Sequence, residues 1–322
     1  MESVLDDLPR LGRVAVVRLR SLGDCVLTTP ALEILKRARP DLRVGVVVED
    51  RFRAVFEDNL NVDEILPPEW SALRRFRPRL CLNLHGGTRS AWLTMASGAR
   101  WRAGFGHFRN RFVYNVRIPR AQEILREERT MHTAEHLASA MFYLGAPKAE
   151  VPRAKLYVGQ AGPEGTPPPN LPVERGVGRR KRVPHSVAVI HAVAATAEKT
   201  WKAEGFLEVA EHLRGAGIEP VFIGAAGDDL SPFAAYRRLE GAPLAGVKML
   251  LGTSCLFVGN DSGPAHMAAA FGLPVVVIFG NSDPAIWGPW RTAAEIVTAP
   301  GGIARVSTGQ VLEALTRLRV HA

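Results

Sequence analysis

Residues 256–279, LFVGNDSGPAHMAAAFGLPVVVIF, hold two short apolar runs separated by a polar turn and a short helical stretch. The second run, 275–279, is β-branched and too short for a core helix. The segment therefore reads as a strand, a tight turn, a helix over 265–271 stopped by Gly272 and Pro274, and another strand. Such a βαβ-like unit places its turn outside the carboxyl end of a strand, where open α/β sheets bind ligands. Ser262 and Gly263 would present backbone N–H groups at a helix N-terminus, where donors lack intrahelical acceptors and the peptide dipoles favour an anion. Gly263 permits close approach. Asp261 is a candidate cap or acceptor for a sugar hydroxyl, and His266 a candidate donor to a phosphate oxygen. A capped helix with His266 satisfied by the backbone is the plainer alternative.

The same alternation runs through the chain. Strands are expected over 14–18, 42–48, 62–66 and 80–84, with helices over 25–38, 52–58, 70–76, from 89, and over 130–144. Pro30 lies inside the first helical pattern, so that helix should begin near Thr28 and Thr29 or bend there. Residues 104–119 read as a basic, aromatic loop. A second series restarts with strands over 186–190 and 220–223, a helix over 206–214, and a late strand at 296–297 before an amphipathic terminal helix over 308–319. Between the series, 159–184 holds GPEGTPPPNLP and ERGVGRRKR, which suit neither a core helix nor a central strand. A chain of 322 residues also exceeds the roughly 250–300 at which single cores stop growing. The expectation is an α/β protein of two domains with mostly parallel sheets, 13–158 and 185–322, joined by a linker over 159–184. The terminal helix is a candidate to pack back on the first domain.

Charge narrows the partners. Lys and Arg total 41 against 32 Asp and Glu, and the excess concentrates at Arg100, Arg102, Arg109, Arg111, Arg117 and Arg120, and at Arg175, Arg179, Arg180, Lys181 and Arg182. No zinc-finger spacing, aromatic RNP strand or heptad-led basic helix accompanies these arginines, so nucleic acid is not the expected partner. An anionic substrate or membrane surface is. No apolar run approaches the roughly 20 residues that span a bilayer, and 1–10 carries acids and no hydrophobic segment. A cytoplasmic protein follows as the expectation. Cys25, Cys81 and Cys255 form no CxxC pair and read as reduced core thiols. His132-Thr133-Ala134-Glu135-His136 spells a zinc motif, but a helix face is the plainer reading because no downstream acidic partner has a recognisable context.

Candidate chemistry falls on two sets of turns. The first domain offers Arg20, Ser21, Gly23 and Asp24 after its first strand, and His85 after the strand over 80–84. The second offers Lys199 with Thr200, Asp228, and the 261–266 turn. A carboxylate on one side and cations with helix N–H donors on the other suit a base-activated acceptor facing a phosphorylated donor. Asp24 as a plain helix cap and Lys199 as a solvent-facing lysine stand as alternatives. Basic donors in place of paired carboxylates imply no metal and no cofactor. No Walker, dinucleotide or nucleophile-elbow motif is present.

The order Arg18-Leu19-Arg20-Ser21-Leu22-Gly23-Asp24-Cys25-Val26-Leu27-Thr28-Thr29-Pro30, with GNDSGPAHMAAA over 259–270 and FGNSDP and WGP over 279–289, resembles the ADP-heptose:lipopolysaccharide heptosyltransferases of glycosyltransferase family 9. The resemblance implies a GT-B fold with acceptor in the first domain and nucleotide sugar in the second, facing a central cleft. It implies an inverting, metal-independent transfer with Asp24 as general base. Lys199 and His266 would act at the donor phosphates, with Thr200, Asp228, Asp261, Ser262 and Gly263 binding donor. Arg20, Ser21, Gly23 and His85 fall on the acceptor side. The implied partners are ADP-heptose and an anionic glycolipid. The two arginine concentrations, with no spanning segment, add the expectation of a monomer that visits the cytoplasmic face of the inner membrane, with arginines scattered over unrelated faces as the plainer alternative. The chain departs from the family pattern at 191–195, HAVAA, where a Pro-Gly and a polar residue are frequent. It departs again at Asp228, where a glutamate reaching the ribose is common. Another nucleotide-linked sugar, a non-catalytic sugar-nucleotide binder and a GT-B epimerase remain alternative readings.

Overall fold

The structure, a computed structural model, describes residues 3–159, 186–194 and 196–318. The expected linker, apart from Gly159, and the basic cluster from Arg175 to Arg182 lie outside the described residues.

The first series comprises β1 (Arg13–Val17), α1 (Leu22–Ala38), β2 (Arg43–Val47), β3 (Glu64–Leu66), α2 (Trp70–Phe76), β4 (Leu80–Asn83), α3 (Thr88–Ala96), β5 (Trp101–Phe105), β6 (Val116–Ile118), α4 (Ala121–Leu125) and α5 (Thr133–Leu144). The second comprises β7 (Val187–His191), α6 (Ala203–Gly215), β8 (Glu219–Gly224), β9 (Arg237–Glu240), α7 (Leu244–Gly252), β10 (Leu256–Asn260), α8 (Gly263–Phe271), β11 (Val275–Ile278), α9 (Pro284–Trp287), β12 (Ala294–Val297) and α10 (Thr308–Leu318). Each series builds a six-stranded sheet, in orders β3-β2-β1-β4-β5-β6 and β12-β11-β10-β7-β8-β9. All pairings are parallel. Renumbered from its own first strand, the second sheet has the order of the first, so both are Rossmann-like. Each has a switch point where the strand order reverses, between β1 and β4 and between β7 and β10. This is the GT-B architecture.

Three strands escape sequence reading. β5 and β6 lie in or beside the stretch expected to be a loop, and β9, RRLE, alternates half-buried with exposed positions. They sit at or beside sheet edges, where arginines are tolerated and the hydrophobic signal is weak. The first helix begins at Leu22, earlier than expected, and runs through Pro30. Proline cannot donate to the Val26 carbonyl, and the Thr29 hydroxyl does so instead at 2.8 Å.

The contacts form two compact units that are not continuous stretches. Unit 1 takes in the described residues of Met1–Leu156, Ser262–Gly272 and Ser282–Thr292; unit 2 those of Tyr157–Asp261, Leu273–Asn281 and Ala293–Ala322. Helix α8 belongs to unit 1 because it packs along α1. The core of unit 1 includes Ala15, Val17, Val47, Leu73 and Phe76, and that of unit 2 centres on Trp201, Phe206, Phe222 and Ile278. In its described part the terminal helix α10, a candidate to reach the first domain, packs on α6, β11 and β12 of unit 2.

Candidate functional site

In unit 1 the chain leaves β1 through Arg18 and enters α1 at Leu22, so Asp24 occupies the third helical position with Ser21 as its cap. The Ser21 backbone N–H and hydroxyl both donate to Asp24 Oδ2, at 3.4 and 2.9 Å. Asp24 Oδ1 faces the buried Arg18 guanidinium, 3.4 Å from Nη1. Burial lowers the Arg18 pKa and the Asp24 charge opposes that shift. Arg18 Nε has no hydrogen-bond partner among the described residues. The carboxylate is thus not the N-cap of the plainer reading but the third-position partner of the Ser21 cap, and also half of an ion pair that leaves it partly accessible. Of the expected acceptor-side residues, Arg20 and Ser21 are exposed while Gly23 is buried.

Strand β4 ends on Asn83, which sequence reading passed over. Its amide donates to Ser90 Oγ at 3.0 Å and Tyr114 Oη at 2.9 Å, and its Oδ1 accepts from the N–H groups of His85 and Gly86. All four hydrogen-bonding capacities of this buried amide are used, which holds the His85 loop at the switch point. His85 Nδ1 lies 3.1 Å from the Arg20 carbonyl, and a carbonyl only accepts, so Nδ1 carries the proton. Burial, with Arg18 nearby, lowers the His85 pKa. The neutral ring then offers Nε2 as a hydrogen-bond acceptor.

Helix α8 brings His266 to the same neighbourhood. A Cβ at Gly23 would stand 2.6 Å from His266 Cδ2, and a Cβ at Gly263 would stand 2.7 Å from Leu22 Cβ. Two glycines from motifs some 240 residues apart therefore let α1 and α8 touch. His266, expected opposite the carboxylate, packs beside the turn that carries it. Ser262 stands at the N-cap position of α8 without capping it, since its buried Oγ has no hydrogen-bond partner among the described residues. That orphan hydroxyl at a helix N-terminus fits an anionic ligand.

In unit 2 Lys199 ends a 3-10 turn after β7, and its Nζ lies 3.2 Å from Asp261 Oδ2 at the end of β10. Asp261, read as a cap or sugar acceptor, is the counter-ion of the lysine. Asn260 Oδ1 accepts from Trp201 N–H at 3.0 Å, and Trp201 Nε1 donates to the Val306 carbonyl at 2.9 Å. The buried Trp201 and Asn260 thereby fasten the lysine turn to the sheet at the second switch point. Gly280 is required here, since a Cβ would stand 2.0 Å from the Glu198 carbonyl oxygen. Thr200 Oγ1 donates to the Thr196 carbonyl, and Asp228 Oδ2 accepts from Ala225 N–H, so both side chains are occupied within their own turns. His191 is held neutral, its pKa lowered to about 4 by burial.

The 132–136 segment is structural. His132 Nδ1 accepts from Ala134 N–H, and Nε2–H donates to the Gly288 carbonyl at 2.9 Å. Its ring stacks on Trp290. Glu135 pairs with Arg129, and His136 stacks on Phe105. Among the described residues no three His, Cys, Asp or Glu side chains gather to hold a metal ion. Burial pushes the Cys25 thiol up to about 12 and Cys81 to about 11, in keeping with core thiols. Among the described residues no helix is long and apolar enough to cross a membrane.

The model of glycosyltransferase family 9 (heptosyltransferase) matches residues 70–304. The chain is 26% identical over 308 residues to lipopolysaccharide heptosyltransferase 1 of Pseudomonas aeruginosa, covering 86% of this chain and 81% of that protein. Among solved structures it is similar to a glycosyltransferase of family 9 from Veillonella parvula, with TM-score 0.77, 22% identity, and 97% and 99% of the two chains covered. It is likewise similar to an E. coli heptosyltransferase solved with ADP, with TM-score 0.76, 21% identity, and 95% and 99% covered.

Proposed function

Because this chain belongs to glycosyltransferase family 9, we propose that it transfers a heptose from ADP-heptose to a lipopolysaccharide core or related glycolipid, with inversion and without a metal. The observation that carries the reading is the Asp24 carboxylate at the switch point of unit 1, capped by Ser21, backed by the buried Arg18 and flanked through Gly23 by His266. The relatives' names and the ADP bound by a structural neighbour support the donor.

In this reading Asp24 accepts the proton of an acceptor hydroxyl as its oxygen forms a bond to the anomeric carbon. The bond from that carbon to the diphosphate oxygen breaks, and the electron pair leaves with ADP. Positive character grows on the sugar, which an ionised carboxylate stabilises. Lys199 and the Ser262–Gly263 turn with His266 are assigned to the departing diphosphate, and Asp261 releases Lys199 to it. Arg20, Ser21 and His85 Nε2 are assigned to the acceptor, within residues 13–158. Thr200 and Asp228 are assigned to the donor, within 185–322, on turning out from their present internal bonds. The shorter aspartate at 228, where a glutamate reaching the ribose is common in the family, favours a second reading, transfer of a different nucleotide-linked sugar by the same chemistry.

The test offers ADP-heptose, other ADP-sugars and UDP-sugars to the full chain with a heptose-acceptor oligosaccharide, in buffer containing EDTA. The expected result is transfer from ADP-heptose with inverted anomeric configuration. Turnover confined to another donor selects the second reading. Epimerised donor without acceptor, or donor binding with no transfer to any glycan, overturns both.

A further inference from the structure

From Glu69 to Glu123 the sequence contains no acidic residue between the two glutamates and eleven arginines. This stretch builds the α2–β6 side of unit 1. Helices α2 and α3 lie side by side and point the same way: Arg89 Nη2 donates to the Pro68 carbonyl, and Arg74 Nε to the Ala96 carbonyl. The separations of 21 and 22 residues bring Trp70 and Trp92 to one level. Trp92 and Met95, on one face of α3, are 52% and 48% exposed, Trp70 is 64% exposed, and Phe112 is 65% exposed. Phe112 belongs to a 3-10 turn, Arg111–Val113, that packs against α3, and Asn110 ties this turn to Thr88 at the start of the helix.

Four large apolar side chains in water are costly unless something covers them, and arginines outnumber the acids beside them, which are Glu69 before Trp70 and Glu49 at Arg89. Arg109 and Arg111 are exposed beside Phe112, in or next to its turn. Arg102 is not one of these surface cations, because its guanidinium donates inward to the Val113 and Ala99 carbonyls, and Arg89 is shared with Glu49. A second copy of the chain would set arginines against arginines. An anionic bilayer satisfies both terms at once, with aromatic and thioether side chains entering the interface and guanidinium groups meeting phosphate headgroups.

We infer that the face formed by Trp70, Trp92, Met95 and Phe112, with Arg109 and Arg111, docks on an anionic membrane surface. The inference rests on the glycolipid-acceptor reading above and deepens it. Helix α3 begins immediately after the His85-Gly86-Gly87 loop, so the docked helix and the acceptor-side loop are one continuous element.

The experiment co-sediments the full chain with vesicles of phosphatidylethanolamine and phosphatidylglycerol, and with phosphatidylcholine vesicles, across a salt series. Trp92→Ala/Phe112→Ala and Arg109→Gln/Arg111→Gln should each lower partition into the anionic vesicles by at least about tenfold. Salt should weaken wild-type binding, while transfer to a lipid-free oligosaccharide acceptor stays unchanged. Should the apolar double variant fail to fold, quenching of tryptophan emission by brominated lipid, reduced in Trp92→Phe, supplies the same answer. Undiminished partition of the variants, equal binding to neutral vesicles, a dimer abolished by Trp92→Ala, or binding to RNA without binding to vesicles would each overturn the surface. Lost partition in the variants together with no transfer by the wild type keeps the surface and removes the heptosyltransferase reading.

Discussion

The imidazole of His266 rests on Gly23, so closely that a methyl group at position 23 would stand 2.6 Å from its Cδ2. This contact ties the two motifs on which the functional reading depends. Gly23→Ala should push the ring away and cost about 1–3 kcal/mol of stability, the usual range for overpacking. Affinity for ADP should fall with it. In a His266→Ala background the same substitution should cost far less, because the obstructing ring is gone. Thermal melts and calorimetry of the four proteins in the cycle check this. Additive losses would place the strain elsewhere.

Asp24→Asn is expected to lower transfer by at least about 100-fold, within the range for a lost general base. It also leaves the buried Arg18 without its carboxylate, so the melting temperature should drop although the fold remains. Single-turnover rates measured well below the melting temperature separate the two effects. A near-normal rate would assign the base elsewhere, with His85 Nε2 the next candidate.

Lys199→Ala should weaken ADP binding by about ten- to a hundredfold and adenosine binding little, since a hydrogen bond to a charged group is worth about 1.5–3 kcal/mol. It also strands Asp261, whose side chain is only 9% exposed, without a cation. Adding Asp261→Asn should restore stability but not ADP affinity. Calorimetry with both ligands decides, and equal losses for ADP and adenosine would remove Lys199 from the phosphates.

Burial, with His107 and Arg18 nearby, holds His136 at a pKa of about 4, below its ordinary 6.5. Between these values the unfolded chain binds the proton and the folded chain does not, so stability rises with pH across this window. It is lost as pH falls from about 6.5 to about 4. His136→Gln should flatten that part of the stability curve relative to wild type, as read by denaturant melts at a series of pH values. Parallel curves would show that His136 is not a source of the slope.

Much of this molecule was legible in local chemistry. The β-branched runs at 14–17 and 275–278 and the turn signals after them follow from side-chain size and backbone freedom that act over a few residues. Edge strands β6 and β9, and β5 beside the edge, were not legible, because the rim of a sheet needs little apolar alternation and tolerates arginine. Nor was the passage of α1 through Pro30, which depends on the hydroxyl of Thr29 replacing the missing donor.

The sequence by itself determined which groups are available: a carboxylate after the first strand, a lysine before Trp201, and a histidine in a glycine-flanked helix start. Only tertiary structure decided their company. It paired Asp24 with Arg18, engaged Lys199 with Asp261, and set His266 on Gly23 in unit 1 although 243 positions separate them. It also turned the two ring nitrogens of His132 to Ala134 and Gly288, which empties the apparent zinc motif of its meaning. Residue type and spacing fix local backbone preferences. Ion pairs and close helix contacts are fixed by where parallel strands end, and that is a property of the assembled sheets.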